Sequence, residues 1–331
     1  MPANLTPDYK AAEAAFRKAR DPADRLEALR EMMRLIPKHK GTEHLRADIK
    51  TRIKELTEEL AAPRKGAART GPPTVIRPEG AAQVALVGPP NSGKSALHAA
   101  LTGSRAASEP YPFTTQYPQP GMLTVRDVSI QLVDLPSVSS THPIGWIGNA
   151  LQPADAVLLV VDLSQPGCVE QVLDLVEVLA SRRVHLVSAG AEPDDVDPFA
   201  RYLPTWLVVT KIDLLAAWED ELAAFRELAG LEFPALAVSV ESGEGLDQVG
   251  PWLYDRLGIV RVYTKAPGRP PDLDRPFTLR RGGTVSDLAA LIHKDIARNL
   301  RFGRLWNDEV EGRQVGRDYE LADGDIVELH T

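Results

Sequence analysis

The residues of this chain best suited to chemistry run Gly88-Pro89-Pro90-Asn91-Ser92-Gly93-Lys94-Ser95, a G-x-x-x-x-G-K-[ST] pattern. Glycines let a backbone curl until its N–H groups converge on an anion. Lys94 carries a charge that can reach the terminal phosphates of a nucleotide, and the Ser95 hydroxyl can ligate Mg²⁺. The apolar run Val84-Ala85-Leu86-Val87 leads in as a buried strand, and Ala96-Leu97-His98-Ala99-Ala100-Leu101 follows as a helix. The N-terminus of that helix adds partial positive charge at the same point. Strand, loop and helix in this order form a phosphate cradle. The sequence therefore predicts a nucleoside triphosphate held by residues 88–96.

Four later segments bear on which base accompanies the phosphates. Tyr111-Pro112-Phe113-Thr114-Thr115 lies in a Pro-rich loop after the first helix, where a first switch loop belongs. Ile130-Gln131-Leu132-Val133-Asp134-Leu135-Pro136-Ser137 is an apolar strand ending in an Asp, as a second switch requires. Trp206-Leu207-Val208-Val209-Thr210-Lys211-Ile212-Asp213 ends in T-K-x-D, a version of the guanine-binding N-K-x-D. Ala237-Val238-Ser239-Val240-Glu241-Ser242-Gly243 follows another strand in the S-A-x-x-G shape, with Val240 in place of Ala. A carboxylate at Asp213 accepts hydrogen bonds from guanine N1–H and the exocyclic amine, a donor pair that adenine lacks. Lys211 would lay its aliphatic stem along the base and brace the phosphate loop. Ser239 would hold the base edge, with Val240 beside it. Thr210 stands where Asn is usual, which changes one contact to the base or the phosphate loop. GTP is expected over ATP.

Taken together, these segments resemble the Obg-like branch of translation-factor-class GTPases, and within it the developmentally regulated GTP-binding (DRG) proteins, whose Y-x-F-T-T is close to Tyr111–Thr115. The C-terminal stretch extends the likeness. Val260-Arg261-Val262-Tyr263-Thr264-Lys265-Ala266-Pro267-Gly268 looks like the strand that opens a TGS domain, and Asp287-Leu288, Ile292-His293-Lys294-Asp295 and Val315-Gly316-Arg317-Asp318-Tyr319-Glu320-Leu321 follow in the DRG order. The resemblance covers residues 81 to 331. It implies a cytosolic GTPase with a TGS domain that docks on the ribosome or another RNA-containing partner.

The resemblance also assigns roles. Asp134 would hold Mg²⁺ through water, and Thr115, chosen over its neighbour Thr114 by analogy with Obg, would ligate the metal and close over the γ-phosphate. In potassium-activated GTPases, which this loop resembles, the Asn matching Asn91 ligates a monovalent cation. Here Asn91 is either that K⁺ ligand or an ordinary loop residue making turn hydrogen bonds. Two departures stand out. Too few residues separate Asp134 from Asp213 for the extra domain that DRG proteins insert there. The second-switch D-x-x-G reads Asp134-Leu135-Pro136-Ser137, and Val138 stands where Ras-like proteins carry a water-positioning Gln. A Cβ at Ser137 restricts the peptide flip that glycine allows. Slow intrinsic turnover follows.

The elements that must position these residues read as α/β. From Ala81 to Leu257 apolar strands alternate with helices, a doubly wound sheet with its ligand loops at the strand C-termini. The last 75 residues read as short strands around one helix, a β-grasp module. Residues 1–63 read as helices, with Leu45, Ile49, Ile53, Leu56 and Leu60 forming one apolar stripe, and residues 64–80 as a flexible linker. The expected domains are thus 1–63, 64–80, 81–257 and 258–331. Residues 1–80 carry net charge +5 and residues 81–256 net −13, so a nucleic-acid contact by the N-terminal arm competes with a solvated helix face. Lys38-His39-Lys40-Gly41-Thr42-Glu43 could touch phosphate, although loop solvation is the stronger reading.

Other features read as ordinary. The acidic run 191–198 looks like an exposed loop and His142 like a loop histidine. His293 and Trp306 look like core-edge residues rather than RNA-stacking ones. The single Cys168 excludes intrachain disulfides and fits a reducing compartment. No run approaches the ~18 apolar residues of a membrane span, and no signal peptide is recognised; a cytoplasmic protein without membrane partners is expected. Three functions compete: a GTPase, a non-hydrolysing GTP- or GDP-binding adaptor, and a P-loop ATPase or small-molecule kinase, which Asp213 disfavours.

Overall fold

The computed structural model describes residues 6–19, 22–37, 42–61, 73–104, 115–190, 197 and 199–331. The first-switch residues 111–114, the basic connection 38–41, residues 62–72 and nearly all of the acidic run 191–198 lie outside the described residues. The chain divides into two units, Met1–Pro72 with Glu192–Ala200, and Pro73–Ala191 with Arg201–Thr331.

The first unit is helical. Helix α1 (Pro7–Lys18) starts behind Thr6, whose hydroxyl accepts from the Tyr9 N–H, with proline in the first turn. Helices α2 (Pro22–Leu35) and α3 (Glu43–Ala61) follow. Tyr9, Phe16, Leu29, Met32, Ile36, Ile49 and Phe199 form the core, with Leu45, Ile53 and Leu56 of the α3 stripe packed against it. The Phe199 ring meets Phe16 edge-on at 6.2 Å.

In the second unit the strands are β1 (Ala82–Val87), β2 (Gln119–Val125), β3 (Val128–Asp134), β4 (Ala156–Asp162), β5 (Val184–Val187), β6 (Arg201–Thr210) and β7 (Ala235–Ala237). Their order is β2-β3-β1-β4-β6-β5, with β7 also paired to β6. All pair in parallel except β2, which forms an antiparallel hairpin with β3. Helices α4 (Lys94–Thr102), α5 (Ile147–Leu151), α6 (Cys168–Ser181), α7 (Trp218–Ala229) and α8 (Leu246–Arg256) cover it. Alternate residues of the central strands feed two cores. Ala85, Val87, Leu159, Val161, Leu207 and Val209 lie in one. Val84, Leu86, Leu158, Val160, Trp206 and Val208 lie in the other. Burial on both faces is why these strands read as unbroken apolar runs.

Strand β2 was not anticipated. Its sequence, Gln-Pro-Gly-Met-Leu-Thr-Val, is half exposed, and Pro and Gly are tolerated because it is the sheet edge. Residues 73–80, at the end of the expected linker, are fixed in place. The Gln83 side chain donates to the Ile76 carbonyl at 3.1 Å, and the Gln131 side chain accepts from the Glu79 N–H. These amides are buried within the sheet and need partners, which the preceding segment supplies.

The C-terminal part holds β8 (Ile259–Thr264), β9 (Asp272–Arg280), α9 (Val285–Ile292), α10 (Lys294–Asn299), β10 (Phe302–Trp306), β11 (Glu311–Val315) and β12 (Asp325–His330). The sheet order is β11-β10-β12-β8-β9, a mixed β-grasp sheet with β12 and β8 parallel at its centre. Helix α9, opened by a capping box between Thr284 and Asp287, buries Val285, Leu288 and Ala289 against Val260, Val262, Leu305 and Val327. The expectation of a core-edge His293 is corrected. It is exposed, because its ring caps α10 by accepting from the Asp295 N–H. Trp306 is half-buried, with the Lys265 ammonium 4.0 Å from its ring centre.

Arg261 on β8 ties this sheet to the β2–β3 hairpin. Its guanidinium donates to Asp127 in the hairpin turn at 2.8 Å and to Asp323, before β12, at 2.9 Å. The Tyr254 hydroxyl of α8 donates to Asp323 at 2.7 Å. Desolvation raises the Asp323 carboxyl, but the bonds from Arg261 and Tyr254 outweigh it and bring it down to about 2. Among the described residues no helix is long and apolar enough to cross a membrane.

Candidate nucleotide site

Gly88 follows strand β1, and there the chain turns so close to β4 that a Cβ would stand 2.2 Å from the Val160 carbonyl oxygen. Only glycine fits. Asn91 and Gly93 both adopt left-handed backbone, with φ of 60° and 85°, which curls the loop so that α4 starts at Lys94. The Lys94 ammonium folds back into this curl. It donates to the Gly88 carbonyl at 3.0 Å, the Pro89 carbonyl at 2.9 Å and the Ser137 hydroxyl at 2.7 Å. Burial pushes its pKa down to about 8, against the pull of the Asp134 charge.

Three oxygen-bearing side chains meet beside it. Ser95 Oγ donates to Asp134 Oδ2 at 2.6 Å and lies 3.1 Å from Thr115 Oγ1, which stands 3.4 Å from the same carboxylate oxygen. Asp134 is fully buried at the end of β3. Desolvation raises its pKa, opposed by Ser95, Lys94, His98 and Thr115. Its Oδ1 and the Ser92 hydroxyl are buried with no hydrogen-bond partner among the described residues. A buried carboxylate oxygen left unpaired next to two hydroxyls is a set of hard donors that fits Mg²⁺. Ser95 and Thr115 would hold it directly and Asp134 through water, where it would neutralise phosphate charge.

The other end of the site is built on β6. The Thr210 hydroxyl lies 2.7 Å from the Ser92 carbonyl and 3.2 Å from that of Val161, both of which can accept from it. It braces the phosphate loop from the position where Asn is usual. Lys211, in left-handed backbone at φ 56°, donates to the Asn91 carbonyl at 2.9 Å and to Asp162 Oδ2 at 2.8 Å. Asp213 is exposed in a short 3-10 turn, Ile212–Leu214. Its Oδ1 accepts from the Ser239 hydroxyl at 2.5 Å, and Ser239 Oγ accepts in turn from the Ser242 N–H. Val240 is half-buried next to Ser239. Pro90 and Ala96 lie on the loop and the first turn of α4. Thr114 lies outside the described residues.

The structure thus brings Lys94, Ser95, Thr115 and Asp134 together at one end and Thr210, Lys211, Asp213 and Ser239 at the other. Val138 is a core residue. His142 is exposed, its ring 3.1 Å from the Thr141 hydroxyl. Cys168 opens α6, and burial pushes its thiol up, away from a reactive thiolate.

Sequence reasoning missed three residues. Asp162, buried at the end of β4, anchors Lys211 and accepts from Ser164. Its signal was an Asp closing an apolar strand, the same signal that marked Asp134. His98, fully buried one turn after Lys94, reaches the Leu132 carbonyl at 3.3 Å; desolvation lowers its pKa. The Ser137 side chain, read only as a lost glycine, is a partner of Lys94.

Fold and site together define a P-loop GTPase domain joined to a β-grasp domain. A family described as "50S ribosome-binding GTPase" matches residues 83–189, and the TGS domain family matches residues 260–331. The chain is similar to DRG-family GTP-binding proteins. It is 29% identical to an uncharacterized GTP-binding protein of Methanocaldococcus jannaschii, over 92% of each chain. It is 25% identical to developmentally-regulated G-protein 1 of Arabidopsis thaliana, over 92% of this chain and 90% of that one. The first of these alignments spans 363 positions against 331 residues here, so the relative carries segments this chain lacks. Among solved structures, a GTP binding protein from Pyrococcus horikoshii OT3 is similar at 16% identity and a TM-score of 0.46, covering 75% of this chain and 99% of that one.

Proposed function

We propose that this chain binds GTP and GDP and hydrolyses GTP to GDP and phosphate. The observation that carries the reading is Asp134 Oδ1, buried without a partner among the described residues, beside the hydroxyls of Ser95 and Thr115 and near the buried Lys94 ammonium. That grouping suits a metal-bound triphosphate and has no other evident use. Water attacks the γ-phosphorus as the bond to the β,γ-bridging oxygen breaks; its proton passes to the phosphate produced or to solvent, and GDP leaves with the negative charge on its β-phosphate. Lys94 stabilises that charge, and the loop N–H groups hold the β-phosphate in place. Mg²⁺ supplies charge neutralisation when bound. Asp213, steadied by Ser239, accepts from guanine, while Lys211 ties the base side to the phosphate loop.

In this proposal turnover is slow, because Val138 is packed in the core and offers no group to a water. A partner or a K⁺ ion held with Asn91 raises it. The domains are 1–63, 64–80, 81–257 and 258–331, the protein works in the cytoplasm, and the helical and TGS parts dock on a ribosome or RNA-containing partner. A second reading, a non-hydrolysing GTP/GDP-binding adaptor, is favoured by the Ser137 hydroxyl on Lys94. GTP hydrolysis measured in potassium and in sodium at equal ionic strength, with ATP as control, separates the two. Turnover with GTP alone, faster in potassium, supports the proposal; GTP bound but never cleaved, with ribosomes added, supports the adaptor.

A further inference from the structure

The three N–H groups of the Lys94 ammonium are all taken, two by loop carbonyls and the third by Ser137 Oγ at 2.7 Å. Both side chains are buried, Lys94 at 6% and Ser137 at 8% exposure. This third acceptor exists only because the fourth position of Asp134-Leu135-Pro136-Ser137 is a serine. A glycine has no side-chain oxygen to offer. The two kinds of acceptor differ in origin. Gly88 and Pro89 belong to the loop that cradles the β-phosphate, whereas Ser137 comes from the segment after Asp134, on the side where a γ-phosphate meets the metal ligands.

We propose that the Ser137 hydroxyl sets the preference between nucleoside diphosphate and triphosphate by occupying, on Lys94, the place of a γ-phosphate oxygen. The inference rests on the proposed guanine-nucleotide site. A bound diphosphate exchanges a loop carbonyl for a β-phosphate oxygen and leaves the Ser137–Lys94 bond intact. A triphosphate must break that bond to bring the γ-phosphate onto the ammonium. The chain therefore favours GDP over GTP by the worth of one charge-assisted hydrogen bond in a buried site, about tenfold.

The test is calorimetric titration of the full chain with GDP and with guanylyl imidodiphosphate, a triphosphate that is not cleaved, in Mg²⁺. Ser137→Ala, which keeps the Cβ, should shift the ratio of the two affinities about tenfold toward the triphosphate, and Ser137→Gly, which also frees the backbone, should shift it at least as far. Ser137→Thr, which keeps a hydroxyl, should keep the original ratio. Thermal melts of each variant identify any that fails to fold, and Ser137→Cys, which keeps the Cβ and replaces the hydroxyl with a weak acceptor, is the alternate for Ser137→Ala. A ratio that is unchanged in Ser137→Ala and Ser137→Gly, or equal changes for both nucleotides, overturns the role of Ser137 while leaving the site intact. Failure of the unaltered chain to bind GDP overturns both the site and this inference.

Discussion

The Thr210 hydroxyl lies 2.7 Å from the Ser92 carbonyl, 118 residues away in sequence. The end of β6, where Thr210-Lys211-Ile212-Asp213 begins, is thereby fastened to the loop 88–95 that is proposed to hold the phosphates. Thr210→Val keeps the shape and removes the donor, leaving a buried carbonyl short of a partner. It should cost roughly 1–2 kcal/mol of stability and weaken GDP and GTP binding equally. Denaturant unfolding with and without nucleotide checks this; an unchanged midpoint would mean that the strap carries no load.

The Arg261 cluster should hold the β-grasp sheet against the β2–β3 hairpin. Arg261 is 19% exposed and Asp323 32% exposed, so the pair lies between a surface ion pair and a buried one. Arg261→Ala should cost roughly 1–3 kcal/mol and raise protease cleavage between residues 257 and 260, as read by limited proteolysis.

Acidity tests the same cluster with a definite sign. The folded Asp323 pKa, about 2, lies below its ordinary 3.8. Its stabilising contribution is therefore complete above pH 3.8 and fades as pH falls from there toward 2. Asp323→Asn should be less stable than the unaltered chain at pH 6, with the gap narrowing below pH 4. A constant gap down to pH 2 contradicts the assignment.

Removing the metal should separate Ser95 from the rest of the site. Chelating Mg²⁺ should weaken GTP binding by at least about tenfold in the unaltered chain. Ser95→Ala should bind weakly from the start and respond little to chelation. Equal sensitivity in both forms would take Ser95 out of the metal's reach.

Much of the GTPase fold was legible because its sheet is buried on both faces. Val84–Val87, Ala156–Val161 and Trp206–Val209 read as core strands, and each is followed by a glycine or polar residue, Gly88, Asp162 or Thr210, at or just past the end of the strand. Strand β2 and strand β11 were not legible. Both are half-exposed edges, and Glu311-Gly312-Arg313-Gln314-Val315 has no apolar alternation to read. The phosphate loop was legible because its geometry is local. The Asp162–Lys211 and Ser137–Lys94 contacts were not, since they join strands or switches far apart in sequence. His293 misled because its place after an apolar helix resembles a core edge, when its ring in fact starts the next helix.

The central claim is that Asp213 makes this a guanine-nucleotide site. Displacement of a fluorescent GDP by GTP, GDP, ATP and ADP, in the unaltered chain and in Asp213→Asn, tests it most directly. Two charge-assisted hydrogen bonds to guanine predict that GDP and GTP compete while ADP and ATP fail at about hundredfold excess. Asp213→Asn should lose GDP by about the same factor and gain xanthosine diphosphate, whose 2-oxo group accepts from the new amide. Adenine nucleotides that displace GDP as well as GTP does, or an Asp213→Asn chain that binds GDP undiminished, would contradict the account.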